Sequence, residues 1–480
     1  MENSEKRPFE QEQIFHSAIL DLIQNHLSDA DFYQKIQEFH PYDLSLALPE
    51  ITKNQRVRFF TTLPADFVAV IFEHLEQDEA IDFIREIPIP QAVSILDEME
   101  SDSAVDLLQY LEAEDEDTDL VNQLSPKKRS ELKKFWNYKD NEVGSVMSNS
   151  FIEIPSSMPV KDAMRKVTGI AGDTDYISIL FIVDKQKLVG YLKLKQLIIA
   201  RSTDTIPDIM ETRFVTAHPA DNKEEVARLM QDYGLSSIPI IDEDHRMVGI
   251  VTYDVMMDII AEVQSEDYAK LAGLGSGDIE TQNENVFTSV KSRLPWLLIL
   301  LILSMVTSVI LSFFEEALNE SAEARLLAAS LAIFMPLILD MSGNSGTQSL
   351  AVMIRYLVAN KKEMTKKSIR RHLKREIGAG IAQGLMIGLL TFLVIYVSKI
   401  MAQGFILDSK TWTYAIVTSL AIFVALAVSN ILGALIPLLM NFLKFDPAVA
   451  SGPFITTVAD VVALVVYYSV SLAVLLPLYS

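Results

Sequence analysis

Residues 446–460 read DPAVASGPFITTVAD, and the apolar run VVALVVYYSVSLAVLLPLY follows at 461–479. Asp460 therefore sits about a dozen residues into a candidate membrane span, amid Val and Ala, with no basic residue near it in sequence. A charge at bilayer depth is costly and usually functional. Thr456 and Thr457 stand at i−4 and i−3 from it, and Ser451 and Gly452 at i−9 and i−8. Asp446 as N-cap and Pro447 at the first helical position predict that the helix opens there. On that reading Asp446 and Asp460 are ~21 Å apart along one helix and within ~40° of one face. A carboxylate at one mouth and a second near mid-membrane is the layout of a cation path. The alternative is a structural Asp paired to another helix.

Working outward, hydropathy after residue 290 predicts five spans: roughly Pro295–Phe314, Leu326–Ser342, Ile377–Val397, Trp412–Met440 and Ala448–Tyr479. The loop after the second span, KKEMTKKSIRRHLKRE, is strongly basic and is expected to be cytoplasmic, and Lys291 and Arg293 flank the first span on that side. The acidic EEALNESAEAR after the first span belongs outside. Five spans then put the N-terminal part in the cytoplasm and the C-terminus outside. Within the second span Asp340 precedes SGNSGTQS (342–349), and Arg355 follows it near the interface, where it can snorkel. Gly343, Gly346, Gly452, Pro336, Pro437 and Pro453 mark places for close helix packing or exposed carbonyls.

The chain has 480 residues, half of them hydrophobic, yet a formal net charge of −23. Residues 1–140 hold 13 basic and 30 acidic side chains, 141–290 hold 13 and 24, and 291–480 hold 15 and 10. An acidic soluble front end is thus joined to an apolar, mildly basic back end. Such a front end is a poor nucleic-acid binder, which needs a basic footprint. Cysteine is absent, which excludes disulfides, thiolate zinc sites and Cys nucleophiles, and the seven His form no HxxxH pair. The start MENSEKRPFEQEQ has no apolar core, so no cleaved signal peptide is expected. The oxygen donors left near Asp460 (carboxylate, hydroxyl, amide including Asn344, backbone carbonyl) suit a hard cation. Mg²⁺ keeps most of its waters, so a wide polar site with one carboxylate per subunit would read the hydrated ion.

Residues 44–112 carry an internal repeat of 12. Apolar sets such as Leu44/Ala47/Leu48/Ile51, Ala80/Phe83/Ile84/Ile87 and Ala104/Leu107/Leu108/Leu111 each trace one helical stripe. Short helices at fixed period predict an α-solenoid whose neighbours bury each other's stripe. The run EAEDEDTD (112–119) reads either as a solvated linker or as a divalent-cation surface. Residues 143–262 look like two copies of one unit: short strand, helix, apolar strand, acidic turn, strand with Val-Gly, helix. Ile259–Gly275 reads as a helix leading to the membrane. Glu262, Glu266, Asp267 and Lys270 lie at i/i+4 spacings on its polar side, and Gly273, Gly275 and Gly277 end it.

The paired copies resemble a tandem CBS pair. The order of parts, with SGNSGTQS, NILGALIPLLM (430–440) and DPAVASGPFITTVAD, resembles the MgtE-type magnesium channels over essentially the full length. The resemblance implies a multidomain integral membrane protein: a cytosolic α-solenoid, an α/β tandem CBS pair and an all-α five-helix transmembrane domain. The expected boundaries are 1–140 for the helical repeat, 141–262 for the CBS pair (143–201 and 206–262), 258–290 for a connecting plug helix and joint, and 291–480 for the membrane domain. It implies a homodimer in the bacterial cell membrane, in contact with lipid, with one pore on its axis. Mg²⁺ would be both substrate, moving into the cell, and regulator. Asp460 would be the selectivity carboxylate, supported by Thr456, Thr457, Gly452 and Asn344, and Asp446 part of the cytoplasmic gate. Asp258, Glu262, Glu266 and Asp267 would take Mg²⁺ between the cytosolic domains and the plug helix to close the pore. Thr252 and Asp254, after the last strand of the second copy, stand where CBS pairs meet ribose or phosphate, which admits ATP; the first copy has Lys193 there.

The sequence departs from the family pattern at several points. DxxG after the pore Asp is Asp460-Val-Val-Ala463, Val255 and Val263 replace plug-helix carboxylates, and Asn222 and Gly234 stand where some members have Asp. Gating by cytosolic Mg²⁺ is accordingly expected to be weaker or to use a different carboxylate set, with repulsion between the acidic solenoid and the CBS pair as its lever. The competing readings are a carrier exchanging Na⁺ or H⁺ for a divalent ion, broader permeation of Co²⁺, Mn²⁺ or Ca²⁺, and a receptor that transports nothing. CBS-bearing chloride channels are excluded by part order and span count. No nucleophile–base set or phosphate loop is present, so no enzyme activity is expected.

Overall fold

The structure, a computed structural model, describes residues 8–24, 28–114, 120–171, 176–274, 286–317, 322–359, 364–403 and 409–479. Asp115–Asp119 of the acidic run, Gly275 and Gly277 lie outside them. The chain divides into two units, Met1–Ala261 and Glu262–Ser480.

Among the described residues the first unit opens with nine α-helices: α1 (Pro8–Gln24), α2 (Asp29–Ile36), α3 (Pro41–Ala47), α4 (Lys53–Thr62), α5 (Ala65–Phe72), α6 (Gln77–Glu86), α7 (Ile89–Glu98), α8 (Ser101–Glu114) and α9 (Pro126–Phe135). From α3 to α8 the starts fall at 41, 53, 65, 77, 89 and 101, twelve residues apart. Proline sets this rhythm at three of them: Pro41, Pro64 and Pro88 open helices where a missing N–H costs nothing. Alternate helices stack, α3 on α5 on α7 and α4 on α6 on α8. The stripes are the core, from Leu44 and Leu48 through Phe59, Phe60 and Ile71 to Leu107 and Leu108, all buried. Each such side chain contributes about 1.5–3 kcal/mol on leaving water. Across rows, Arg56 grips both carboxylate oxygens of Glu86 at 2.9 Å and lies 4.5 Å over the Phe83 ring. The acidic run is no plain linker at its start, because Glu112 still belongs to α8.

Two α/β copies follow. The first runs β1 (Glu153–Pro155), α10 (Val160–Ile170), β2 (Ile179–Asp184), β3 (Lys187–Lys193) and α11 (Leu194–Ile199). The second runs α12 (Ile206–Ile209), α13 (Lys223–Tyr233), β4 (Ser237–Ile241), β5 (Met247–Thr252) and α14 (Tyr253–Ala272). In the first, β1 is parallel and β3 antiparallel to β2. In the second, β4 pairs antiparallel with β5, and Ala217 forms the parallel bridge to Ile240. Both hairpins shift register by one residue, at Ile182/Val183 and Ile240/Ile241. The copies exchange edges: Glu211, leading into the second, bridges Tyr191 of β3, and Ser148, leading into the first, bridges Ile250 of β5. The Val-Gly signature explains itself here. A Cβ on Gly190 would stand 2.8 Å from the Glu211 carbonyl, and one on Gly249 would stand 3.1 Å from that of Ser148. Asn222 and Gly234 cap the two ends of α13: Asn222 Oδ1 accepts from the Glu225 N–H, and Gly234 has φ +61°. The left-handed backbone accounts for glycine at 234, whereas an Asp at 222 would cap α13 as well as Asn222 does.

α14 begins at Tyr253, six residues before the helix expected from the sequence, and crosses from the first unit into the second. Gly273, at φ +75°, ends it as expected.

Among its described residues the second unit has five long helices after α14: α15 (Val286–Ala317), α16 (Ala322–Ala359), α17 (Lys366–Gln403), α18 (Ser409–Phe442) and α19 (Gly452–Tyr479). Four segments, within α15, α17, α18 and α19, are long and apolar enough to cross a membrane. α16 has the length, but SGNSGTQS runs through its middle as helix. α17 meets α18 along Gly380, Gly384 and Gly388, four residues apart; Cβ atoms there would fall 2.7–2.9 Å from Asn430 and from the Phe423 and Ser419 carbonyls. α16 crosses α18 just as closely, because a Cβ on Gly433 would run into the Gly346 carbonyl. Tyr467 is fully buried and donates to the Leu331 carbonyl at 2.8 Å, tying α19 to α16.

Candidate functional site

α19 does not open at Asp446, which corrects the sequence expectation. α18 ends in a Schellman turn: Phe445 N–H donates to the Met440 carbonyl, Lys444 N–H to that of Asn441, and Lys444 has φ +64°. A short 3₁₀ turn follows at Pro447–Val449, and Val449 N–H donates to the Asp446 carbonyl. Ser451 then caps α19, its Oγ accepting from Phe454 N–H at 3.4 Å, with Pro453 in the first turn. The physical reason is a choice between two start signals. Asp446-Pro447 competes with Ser451-Gly-Pro453, and the second leaves the helix free of the reversal at Lys444. Asp446 and Asp460 therefore do not share a helix face, and the span expected from Ala448 begins at Gly452.

Around Asp460 two polar stripes meet. On α19 it is Gly452, Thr456 and Asp460 at i+4 steps, and on α16 Asp340, then Gly343 and Asn344, then Thr347, each turn reached by an i+3 or i+4 step. A Cβ on Gly343 would stand 2.8 Å from Thr456 Cγ2 and 3.5 Å from Asp460 Oδ1, while one on Gly452 would stand 3.8 Å from Thr347 Cγ2. The stripes thus run antiparallel, and glycine is what lets them touch. Thr456 and Thr457 donate to the Gly452 and Pro453 carbonyls at 3.0 and 2.9 Å, so their oxygens keep lone pairs free to accept. Asn344 is exposed on α16, next to Gly343 in sequence. Asp460 Oδ1 is buried and has no hydrogen-bond partner among the described residues. A buried carboxylate oxygen left so is what a cation or its water shell would satisfy.

Asp446 lies in the joint and pairs with Lys270 of α14 at 3.2 Å; the same ammonium holds Glu266 at 3.0 Å. Burial alone would lower the Lys270 pKa, but the hydrogen bonds to Glu266 and Asp446 outweigh it and raise the value. Glu262 and Asp267 each have an interaction of their own.

In the first unit Thr252 closes β5 opposite Ser237, and Asp254 is exposed in the first turn of α14. Burial pushes Asp258 above the usual carboxylate range and the neighbouring Asp254 charge adds to it. Sequence reading missed Asp102 in α8. Its Oδ1 is shut off from solvent and has no hydrogen-bond partner among the described residues. Burial raises its pKa, and the Asp254 charge adds to that against Lys128 and two backbone N–H groups. The available signal was a carboxylate beside the Ala104 stripe, in the first turn of a repeat helix. Among the described residues no three His, Asp or Glu converge as a metal cluster. Mg²⁺ is commonly held by one or two carboxylates and its own waters, so these pairs fit its chemistry.

A family described as divalent cation transporter, MgtE, matches residues 335–470. The MgtE intracellular N domain matches 39–141, and the CBS domain matches 143–202 and 206–262. The magnesium transporter MgtE of Bacillus subtilis is 33% identical over 444 residues, covering 92% of this chain and 94% of that one. The chain belongs to the MgtE family of magnesium transporters. The MgtE of Thermus thermophilus is likewise 33% identical, over 439 residues covering 91% of this chain and 93% of its own. A crystal structure of the cytosolic domain of the Mg²⁺ channel MgtE in complex with ATP is 29% identical, with TM-score 0.48. It covers 51% of this chain and 99% of its own. In this MgtE-family chain the matched 335–470 contains Asp340, the SGNSGTQS run, the α18–α19 joint and Asp460.

Proposed function

We propose that this protein is a homodimeric channel in the bacterial inner membrane that carries Mg²⁺ into the cell past Asp460, and that cytosolic Mg²⁺ closes it. The observation that carries the reading is the buried, unpartnered Asp460 Oδ1, set against Gly343 where two polar helix stripes meet. One carboxylate flanked by hydroxyls, carbonyls and the Asn344 amide suits a hydrated hard cation better than a stripped one. Five spans, with α16 crossing as the polar inner helix, agree with the basic start of α17 and put the N-terminus in the cytoplasm and the C-terminus outside.

For closure, the supporting observation is two carboxylate pairs in the first unit that share Asp254, one with Asp102 and one with Asp258. Divalent cation there would neutralise charges that now repel one another. These pairs include Asp102 from the solenoid, so they are not confined to the thinned plug helix. Asp258, Glu262, Glu266 and Asp267 are the further ligands proposed along α14. Thr252 and Asp254 would hold the ribose or phosphate of ATP, which would tune the same response. The domain limits are those expected from the sequence.

The test is Mg²⁺ flux into proteoliposomes containing Asp460→Ala. Loss or strong impairment is expected, and flux at the unaltered rate would remove the reading. Mn²⁺, Co²⁺ and Ca²⁺ in the same assay separate a Mg²⁺-selective pore from a broader one, and imposed Na⁺ or proton gradients separate channel from carrier.

A further inference from the structure

The carboxyl-terminal turn of α14 is seated in the second unit by both charge and apolar contact. Leu271 packs against Leu350, Ile354, Ala450 and Ile455, and its carbonyl would stand 3.5 Å from a Cβ on Gly452. Gly273 lies under Trp296, close to Pro453. Lys270, beside them, bridges Glu266 of its own helix and Asp446 of the joint.

We propose that Lys270 is a positioning residue for transport: a built-in cation that holds α14 against the pore mouth and competes with divalent cations for Glu266 and Asp446. The proposal rests on reading Asp446 and Asp460 as mouth and pore. The geometry is what separates it from a plain surface ion pair. Glu266 and Asp446 come from chain segments 180 residues apart, and one ammonium is shared between them at 3.0 and 3.2 Å. Lys270 is 26% exposed, against 40% for Glu266 and 42% for Asp446, so the charge sits deeper than either partner. Without it two carboxylates face each other at close range and repel unless another cation enters. With it, α14 is fastened with no divalent ion present. The partners' exposure screens the bridge, so its removal should change the open-to-closed ratio by roughly two- to five-fold rather than by orders of magnitude.

Two predictions follow from the competition. Replacing Lys270 by Gln keeps the stem and removes the charge. With the cytosolic face chelated, Mg²⁺ entry into proteoliposomes should rise roughly two- to five-fold. As Mg²⁺ is restored on that face, the variant should close more steeply than the parent, because a divalent ion no longer competes with the ammonium for Glu266 and Asp446. Lys270→Arg should behave as the parent. The chain has no cysteine, so a clean spin-label pair can be placed at the exposed Tyr268 and Leu443. Pulsed spin–spin distances in full-length protein without divalent ions should broaden in Lys270→Gln and in high salt, and stay as narrow as the parent's in Lys270→Arg. Unchanged flux, Mg²⁺ response and distances in Lys270→Gln would overturn the proposal. If Asp460→Ala transports normally while the distances still respond to Lys270, the pore reading fails and the fastening stands.

Discussion

Gly343 offers a measured test of the helix crossing at Asp460. Its replacement by Ala puts a methyl 2.8 Å from Thr456 Cγ2, whereas ordinary contact begins near 3.4 Å, so α16 and α19 must part by ~0.6 Å or tilt. Overpacking of this kind costs about 1–3 kcal/mol. Alanine also returns up to ~1 kcal/mol of helix propensity, which any Gly→Ala change in a helix gains. Gly378 is the internal control, because a Cβ there meets nothing within 4 Å. Gly378→Ala should therefore leave stability equal or slightly raised, and, because both variants gain the same propensity term, they should differ by the overpacking cost alone, roughly 1–3 kcal/mol. In a unit of this size that separates their Tm values by several degrees, on the order of 2–4 °C per kcal/mol. The assay is thermal unfolding of detergent-solubilised protein beside Mg²⁺ flux in vesicles. Gly343→Ala should lose flux several-fold, since parting the helices at Thr456 shifts Asp460 and the methyl, 3.5 Å from Asp460 Oδ1, fills space beside that oxygen. Equal Tm and equal flux in the two alanine variants would refute the crossing and the role of glycine in it.

Asp102→Asn removes a charge that folding has to bury, so without divalent ions it should stabilise the first unit at neutral pH by at least about 1 kcal/mol. The Asp102 pKa is raised on folding, so the parent's stability should increase as pH falls through that raised value, and this slope should flatten in Asp102→Asn. The same variant should lose much of the Mg²⁺-induced protection against proteolysis. Gly190→Ala and Gly249→Ala should both loosen the exchanged edges of the CBS pair, read as faster amide hydrogen exchange at 147–150 and 210–212. Gly190→Ala should be worse, because its nearest neighbour is the Glu211 backbone carbonyl, whereas Gly249 first meets the flexible end of Met147.

Local regularities were legible in the sequence. The twelve-residue period became six helix starts in step, because each stripe is buried by its neighbours and nothing distant competes. The duplicated Val-Gly strands were legible as a pattern, but their cause was not. Gly190 and Gly249 admit the leading segment of the other copy, a contact between residues about 20 and 100 positions apart. Asp460 stood out through its charge in an apolar run. Its partner Gly343 was marked only as a place for close packing, since spacing on one helix says nothing about register with another. The Asp446 helix start failed for a different reason. Two good start signals lie five residues apart, and the choice between them depends on how α18 ends. Lys270 was read as one member of an i/i+4 polar side, and only the fold brings it to Asp446. The Gly380-Gly384-Gly388 series was readable but was passed over beside the longer motifs.

On the proposed reading of Asp446 as mouth and Asp460 as pore, the joint between α18 and α19 also bears on how the two ends of the path can change independently. A continuous helix would have carried any displacement of Asp446 directly to Asp460 as a rigid rod. The 3₁₀ turn and the fresh cap at Ser451 interrupt that rod, so a torque applied at the entrance can be absorbed within five residues. Substitutions that retune when the entrance opens can then accumulate there without altering which ion the inner carboxylate accepts. Sensitivity and selectivity become separately adjustable properties of one short stretch of chain.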